Sequence, residues 1–145
     1  MTNVAGSFRF PPDPSGLQRV RADVRAAAAA LGAPAAQCDA LALVVDELVN
    51  NAIEHGAVYR KLGRDLAVRV QRDGTTVTVD FFDPEMPTQW VQDLARALTE
   101  AGGGMPALES ERGRGLFLIS IYMEELRVAV APGGGLHLRG RLAAS

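Results

Sequence analysis

The amino-acid sequence predicts an α+β fold, a two-layer α/β sandwich with helices on one face of a mixed, mostly antiparallel sheet. Apolar residues recur at three- and four-residue spacing through two segments before Gly56, which is the period of an α-helix. Apolar and polar residues alternate over Leu66–Gln71, which is the period of a half-buried strand. Tight-turn sequences at Asp73-Gly74 and Pro132–Gly135 each separate two strand-like segments, so two hairpins are expected.

One strand and two helices are expected in the N-terminal part of the chain. Phe8–Phe10 predicts a short edge strand, because the prolines that follow it cannot donate to a strand ladder. The first helix is expected to have Ser15 as its N-cap and to stop at Gly32. The second is expected to carry Pro34 in its first turn and to end near Gly56, where glycine can adopt the left-handed cap conformation.

The C-terminal part predicts two hairpins and two more helices. Leu66–Phe82 reads as a hairpin, and a helix capped by Thr88 is expected to follow it through Leu98. The glycine-rich and charged segment Gly102–Arg112 predicts a mobile connection. An apolar helix at Leu116–Tyr122 is expected next, and Leu126–Leu142 closes the chain as the second hairpin.

The composition indicates one soluble domain over residues 1–145. The chain has 15 Lys and Arg against 17 Asp and Glu, so it has no basic field that would make it a general nucleic-acid binder. Cys38 is the single cysteine, which excludes a disulfide framework and, with only two histidines, a Cys/His zinc site. No apolar run reaches the ~20 residues of a membrane span. We therefore expect a cytoplasmic protein with no direct nucleic-acid or membrane partner.

A carboxylate and an amide stand one turn apart at the edge of the second helix's apolar stripe. Glu47 and Asn51 are four residues apart, so their side chains are neighbours. Their oxygen atoms suit a magnesium ion or the activation of an attacking hydroxyl. The alternative is an ordinary surface glutamate, although no Lys or Arg lies at helical spacing from Glu47 to neutralise it.

Two further features could carry chemistry. Gly113 and Gly115 open the last predicted helix, where free backbone N–H groups attract phosphate oxygens and glycine allows close approach. The same pattern also occurs as a plain loop-to-helix turn. Asp83 ends an apolar strand, where an Asp-Pro pair also forms turns with no ligand.

The order of these motifs resembles that of the anti-sigma-factor serine/threonine kinases, a family of the histidine-kinase-like ATPase superfamily. Asp46–Gly56 resembles the N box of that family, and Asn51 is the asparagine in register because it lies four residues after Glu47. Gly113–Ile119 resembles the second glycine box, and Phe8–Gly32 is similar to the usual start of the family. The resemblance implies the histidine-kinase-like ATPase fold, also called the Bergerat fold.

The resemblance also implies the roles of a kinase that uses ATP and Mg. Asn51 would bind the magnesium ion that bridges the ATP phosphates, and Glu47 would be the general base that activates a serine or threonine hydroxyl. Asp83 would hydrogen-bond the adenine amino group. The resemblance also implies that a lid segment and the start of the helix after it surround the phosphates. The residues in this region are Arg112, Gly113, Arg114, Gly115 and Leu116.

The implied biology is a partner switch. Members of the family hold a sigma factor inactive, release it when an unphosphorylated antagonist protein captures them, and phosphorylate that antagonist. They usually work as homodimers. The resemblance therefore predicts a sigma factor, an antagonist protein and a second copy of the chain as partners.

One segment departs from the family pattern. The superfamily usually has Asp-x-Gly-x-Gly where this chain has Asp83–Pro87, so that Glu85 and Pro87 stand at the glycine positions. Proline lacks an N–H, and a glutamate beside the phosphates would oppose an anionic ligand. One alternative is thus a catalytically inactive partner-binding module with a degenerate pocket. Another is an ATPase fragment that acts on something other than a sigma factor.

Overall fold

The computed structural model describes residues 2–101 and 122–142. This part of the chain holds a short 3-10 helix at Pro14–Gly16, three α-helices and five strands. In chain order they are β1 (Thr2–Phe10), α1 (Leu17–Ala30), α2 (Ala35–Gly56), β2 (Leu66–Asp73), β3 (Thr76–Asp83), α3 (Thr88–Ala101), β4 (Met123–Val130) and β5 (Leu136–Leu142). The predicted connection Gly102–Arg112 and the predicted helix from Leu116 to residue 121 lie outside the described residues.

The five strands form one sheet in the order β1-β2-β3-β5-β4, and all four of these pairings are antiparallel. Both predicted hairpins are present, β2 with β3 and β4 with β5. Gly74, in the first hairpin turn, has a φ of 62°, a conformation that favours glycine. β1 lies at one edge, as the prolines after Phe10 predict. The predicted α+β sandwich is therefore confirmed, with an antiparallel sheet across the described strands.

The core lies between the sheet and the helices. Alternate residues of β2, β3 and β5 are buried, and the buried residues of α1 recur at helical spacing. Burial of this apolar surface is the main favourable contribution to folding. The fully buried side chains of largest volume are Phe81, Leu41, Leu66, Leu138, Val24, Val44, Val45, Val49, Val68, Val70 and Val77.

The start of α1 differs from the sequence expectation. Ser15 does not cap α1, because it lies inside the 3-10 helix, where Asp13 accepts a hydrogen bond from its backbone N–H at 2.9 Å. The N-cap of α1 is Gly16, which has no side chain to offer. Asp13 is the N-cap of the 3-10 helix, which begins at Pro14. The side chain that caps this N-terminal turn therefore lies four residues before Leu17, the first residue of α1.

Both ends of α2 also differ in detail. Pro34 is the extended N-cap residue, with a ψ of 154°, and not part of the first turn. Gly56 is the last helical residue, and it does not have a positive φ. A Cβ atom at Gly56 would meet the guanidinium of Arg60. Gly56 is therefore explained by a close side-chain approach and not by a left-handed cap.

The outer face of β3 carries a buried carboxylate. Asp80 has no solvent exposure, although its neighbours Thr78 and Phe82 are only half-buried. It lies 2.7 Å from His137 Nε2 and accepts from Gln71 Nε2 at 2.9 Å. These strand-to-strand contacts give the buried acid partners within the sheet.

Across the described part of the chain, none of the helices combines the length with the apolar character that crossing a membrane requires.

We expect Leu41→Ala to lower the free energy of unfolding by about 2–5 kcal/mol, because Leu41 is fully buried on α2 and the change leaves a cavity. Leu43→Ala is the matched control, since Leu43 lies on the same helix with 38% of its surface exposed. It should change the free energy by about 0.5 kcal/mol or less. Urea unfolding measures both variants, and equal losses would contradict the assigned core.

Candidate functional site

A small cavity lies between α2, α3 and the sheet. Its volume is about 40 Å³, which is room for about one water molecule and far below the ~300–1,000 Å³ of a typical ligand pocket. Aromatic and apolar side chains fill most of the space between the layers. The lining residues are Leu48, Asn51, Ala52, His55, Tyr59, Phe81, Met86, Trp90, Leu94, Leu136 and Leu138.

The two predicted residues of α2 have different surroundings. Asn51 lines the cavity, whereas Glu47, one turn earlier, is half-buried but does not. Burial raises the pKa of Glu47 above its ordinary value, and the negative charges of Asp46 and Glu54 raise it further. No hydrogen bond or ion pair joins Glu47 to the described residues. The carboxylate is therefore a better proton acceptor than an exposed glutamate.

His55 borders the same cavity, one turn after Asn51. Its Nε2 atom is buried and has no hydrogen-bond partner among the residues that the structure describes. An unpaired buried polar atom costs free energy, so this nitrogen is available for a donor or acceptor that enters the space beside it.

Asp83 lies at the end of β3, on the face of the sheet that meets the helices, and it has no solvent exposure. Its Oδ2 atom accepts hydrogen bonds from the Tyr59 hydroxyl at 2.6 Å and from Arg60 Nη2 at 2.8 Å. Its Oδ1 atom accepts from Arg60 Nη1 at 3.0 Å and from the backbone N–H of Glu85 at 3.2 Å. Both oxygens of this buried carboxylate are thus engaged by the protein itself.

Arg60 is the cation of this cluster, and only 9% of its side chain is exposed. Its guanidinium also donates to the carbonyl oxygen of Ala52, in the last turns of α2, at 3.2 Å. Burial by itself lowers the pKa of Arg60, but the hydrogen bonds and charge of Asp83 outweigh burial and raise it. Arg60 therefore stays charged, and it joins α2 to the end of β3.

Glu85 does not line the cavity, and its carboxylate contacts the loop that follows α2. Its carboxylate accepts from the backbone N–H groups of Leu62 at 2.7 Å, Arg64 at 3.0 Å and Lys61 at 3.1 Å. Burial acts to raise the pKa of Glu85, but these hydrogen bonds and the Arg60 charge lower it below its ordinary value. The negative charge that the sequence placed near a nucleotide is used instead to fix this loop.

Pro87 stands at the second glycine position of the family pattern. Its carbonyl oxygen accepts from the backbone N–H of Val91 at 3.1 Å, in the first turn of α3. Met86, between the two altered positions, is buried and lines the cavity. The segment after Asp83 therefore holds the loop that follows α2, lines the cavity and accepts the first hydrogen bond of α3.

Among the described residues, Asn51 is the predicted magnesium ligand and Asp83 the predicted partner of a nucleotide base. The amide oxygen of Asn51 is a ligand of the type that Mg²⁺ prefers. The described residues hold no group of three or more His, Cys, Asp or Glu that could bind a metal alone. An adenine amino group at Asp83 would compete with the two hydrogen bonds from Arg60. In this arrangement the residues around Asp83 do not fit a base.

The remaining predicted site residues, Arg112, Gly113, Arg114, Gly115 and Leu116, lie outside the described residues. The sequence reasoning missed Tyr59 and Arg60, which the fold brings onto Asp83. A signal for a cation was present, because the sequence places the two carboxylates of Asp83 and Glu85 directly after an apolar strand. The sequence alone could not select Arg60 among the arginines.

Comparison with known proteins identifies relatives at the level of family and fold. Residues 10–139 match the family model of the histidine kinase-like ATPase domain. No curated protein sequence matches the chain. The chain is similar to a structure described as the SiaB-SiaC complex from Pseudomonas aeruginosa, with a TM-score of 0.74 and 17% identity over 96% of this chain and 89% of that chain.

A second similar structure holds the RsbU and RsbW domains of a protein from Mycobacterium tuberculosis. Its TM-score is 0.62 at 18% identity, over 94% of this chain. The match covers 31% of that chain. At these identities the two likenesses establish the fold, and they agree with the fold that the motifs predict.

We expect Glu85→Gln to lower the free energy of unfolding at pH 7 by about 1–3 kcal/mol, because the loop N–H groups lose a charged acceptor. The pKa of Glu85 is lower in the folded chain than its ordinary 4.5. Its ionised form therefore contributes full stability above pH 4.5, and this contribution is lost as the pH falls through the lowered pKa.

The difference between wild type and Glu85→Gln should accordingly shrink below pH 4.5. Thermal unfolding across pH measures it, with Glu54→Gln as the control because Glu54 is exposed on α2. A constant difference at every pH would show that the charge of Glu85 is not what holds the loop.

Proposed function

Because the chain belongs to the histidine kinase-like ATPase family, we propose that it is a partner-switching regulator. It holds a sigma factor inactive and releases it when an antagonist protein binds. Two points support the proposal: the resemblance of Asp46–Gly56 to the N box of the anti-sigma-factor kinases, and the likeness of the fold to SiaB-SiaC and RsbW structures. The proposal includes a cytoplasmic homodimer.

The observation that favours binding over catalysis is the internal pairing of Asp83. Arg60 and Tyr59 engage both oxygens of the carboxylate that the resemblance assigns to adenine. The neighbouring cavity of about 40 Å³ is too small for a nucleotide base. A regulator that works by holding and exchanging protein partners needs a stable surface and does not need an open base pocket.

A second candidate function is phosphorylation of the antagonist on serine or threonine with ATP and Mg. It is favoured by the position of Asn51 on the cavity and by the raised pKa of Glu47. Under this candidate Asn51 would hold the magnesium ion and Glu47 would accept the proton of the substrate hydroxyl. The phosphates would meet residues 112–116, as the family pattern implies.

The partner switch predicts an exchange of complexes. The purified chain should form a stable complex with one sigma factor of its source organism, and adding an excess of the antagonist should release that sigma factor. Size-exclusion chromatography with light scattering measures both steps and gives the copy number of the chain. Absence of binding to every sigma factor and antagonist of the organism would contradict the proposal.

The kinase candidate predicts transfer of the terminal phosphate of ATP to the antagonist. Glu47→Gln should lower the transfer rate about 10²–10⁴-fold, as expected for loss of a general base. Asp39→Asn is the matched control on the same helix and should keep the rate, because Asp39 is exposed about two turns before Glu47 and is not among the charges that raise the pKa of Glu47. Incorporation of labelled phosphate into the antagonist measures the rate. Absence of transfer by the wild-type chain, with the partner exchange intact, would leave the binding function alone.

A further inference from the structure

We infer that Arg60 is a resident occupant of the base-recognition position at Asp83, and that it keeps the nucleotide site closed until its guanidinium leaves that carboxylate. The inference rests on family membership and on the proposed function for its setting. Arg60 lies outside the N box, Asp46–Gly56, and outside both glycine boxes, so the family pattern assigns it no role. Three independent features of the structure support it.

The first feature is chemical equivalence. The amino group of an adenine and the guanidinium of an arginine both donate hydrogen bonds to a carboxylate. Arg60 donates through Nη1 and Nη2 to the two oxygens of Asp83, at 3.0 and 2.8 Å, and adds a full positive charge. Charge-assisted bidentate pairs are stronger than neutral hydrogen bonds, so a neutral base does not displace Arg60 by competing for the same oxygens.

The second feature is the room made for Arg60. A Cβ atom on Gly56 would collide with the Nη2 atom of Arg60 and crowd the rest of the guanidinium. Gly56 lies in the last turn of α2, where alanine would otherwise be preferred over glycine. Glycine therefore lowers the helix propensity at the position where the guanidinium of Arg60 packs against α2.

The third feature is the support for the loop that carries Arg60. Glu85 holds the backbone N–H groups of Lys61, Leu62 and Arg64 and also lies 3.4 Å from Arg60 Nη1. This glutamate stands where the family pattern has a glycine. The altered glycine box and the arginine therefore act together: one fixes the loop and the other fills the position at Asp83.

Two variants test the inference by removing Arg60 from Asp83 in different ways. Arg60→Gln keeps one amide donor but removes the charge and the bidentate geometry. Gly56→Ala leaves Arg60 in the chain and pushes its guanidinium away. Arg64→Gln is the matched control, because Arg64 is an exposed arginine of the same loop whose contact to Glu85 uses only its backbone.

The measurement is a titration with Mg-ATP, followed by isothermal calorimetry and by the emission of Trp90. Trp90 is the only tryptophan of the chain, lines the cavity and lies 5.2 Å from the Tyr59 ring, centroid to centroid. We expect both variants to bind Mg-ATP at least about tenfold more tightly than wild type and Arg64→Gln, which is the scale of one hydrogen bond to a charged group. Adding Asp83→Asn to Gly56→Ala should abolish the gain.

Several outcomes would overturn the inference. A wild-type Kd for Mg-ATP below about 100 μM would show that Arg60 does not close the site, whatever the variants do. Folded variants that bind no more tightly than wild type would show that something else excludes the nucleotide. If Arg60→Gln fails to fold, the titrations of Gly56→Ala and of the wild type still test whether Arg60 closes the site.

The proposed function has a separate readout. Sigma-factor binding and its release by the antagonist are measured without nucleotide, so the partner switch can fail while the gain in ATP affinity stands. The reverse can also occur: a wild-type chain that exchanges partners and binds Mg-ATP tightly keeps the proposed function and removes the role of Arg60.

Discussion

The neutralisation of one buried carboxylate organises this end of the molecule. Asp83 faces the helical layer with no solvent exposure, and an unpaired buried charge costs several kcal/mol. Arg60 supplies the opposite charge, and Tyr59 supplies a further donor. Both come from the segment directly after α2, so their contacts with Asp83 set where that segment lies. The end of α2, the loop after it and the turn after β3 therefore form one connected unit.

β3 carries two buried acids with different surroundings. Asp80 faces the outer side of the sheet, where its partners, including His137 and Gln71, lie on neighbouring strands. The backbones of those partners are held in place by strand pairing. Asp83 is paired with Arg60, whose backbone lies in a connection between elements. A partner on a connection can move away at a lower free-energy cost than a partner on a strand. The pairing of a buried carboxylate therefore stabilises the sheet at Asp80, whereas at Asp83 it can regulate access to the site.

The altered glycine box gains a physical explanation from these contacts. In the family pattern, glycines at these positions allow close approach of a ligand to the backbone. Here Glu85 binds the backbone of the loop after α2, and Pro87 helps to begin α3. The segment Asp83–Pro87 therefore contacts other parts of the chain, and these contacts use the positions at which the family pattern has glycines for a ligand. This agrees with the proposed partner-switching regulator, whose primary activity would be protein binding.

The sequence by itself determined the fold class, both hairpins, the order of the helices and strands that the structure describes and the placement of Glu47 and Asn51 on α2, because these depend on periodicity and turn chemistry within short segments. It did not determine the caps at Ser15 and Gly56, which depend on neighbours. Only the tertiary structure decided which arginine meets Asp83. That pairing joins residues 23 apart along the chain, and the reason is the cost of burying the carboxylate alone, which only the fold reveals.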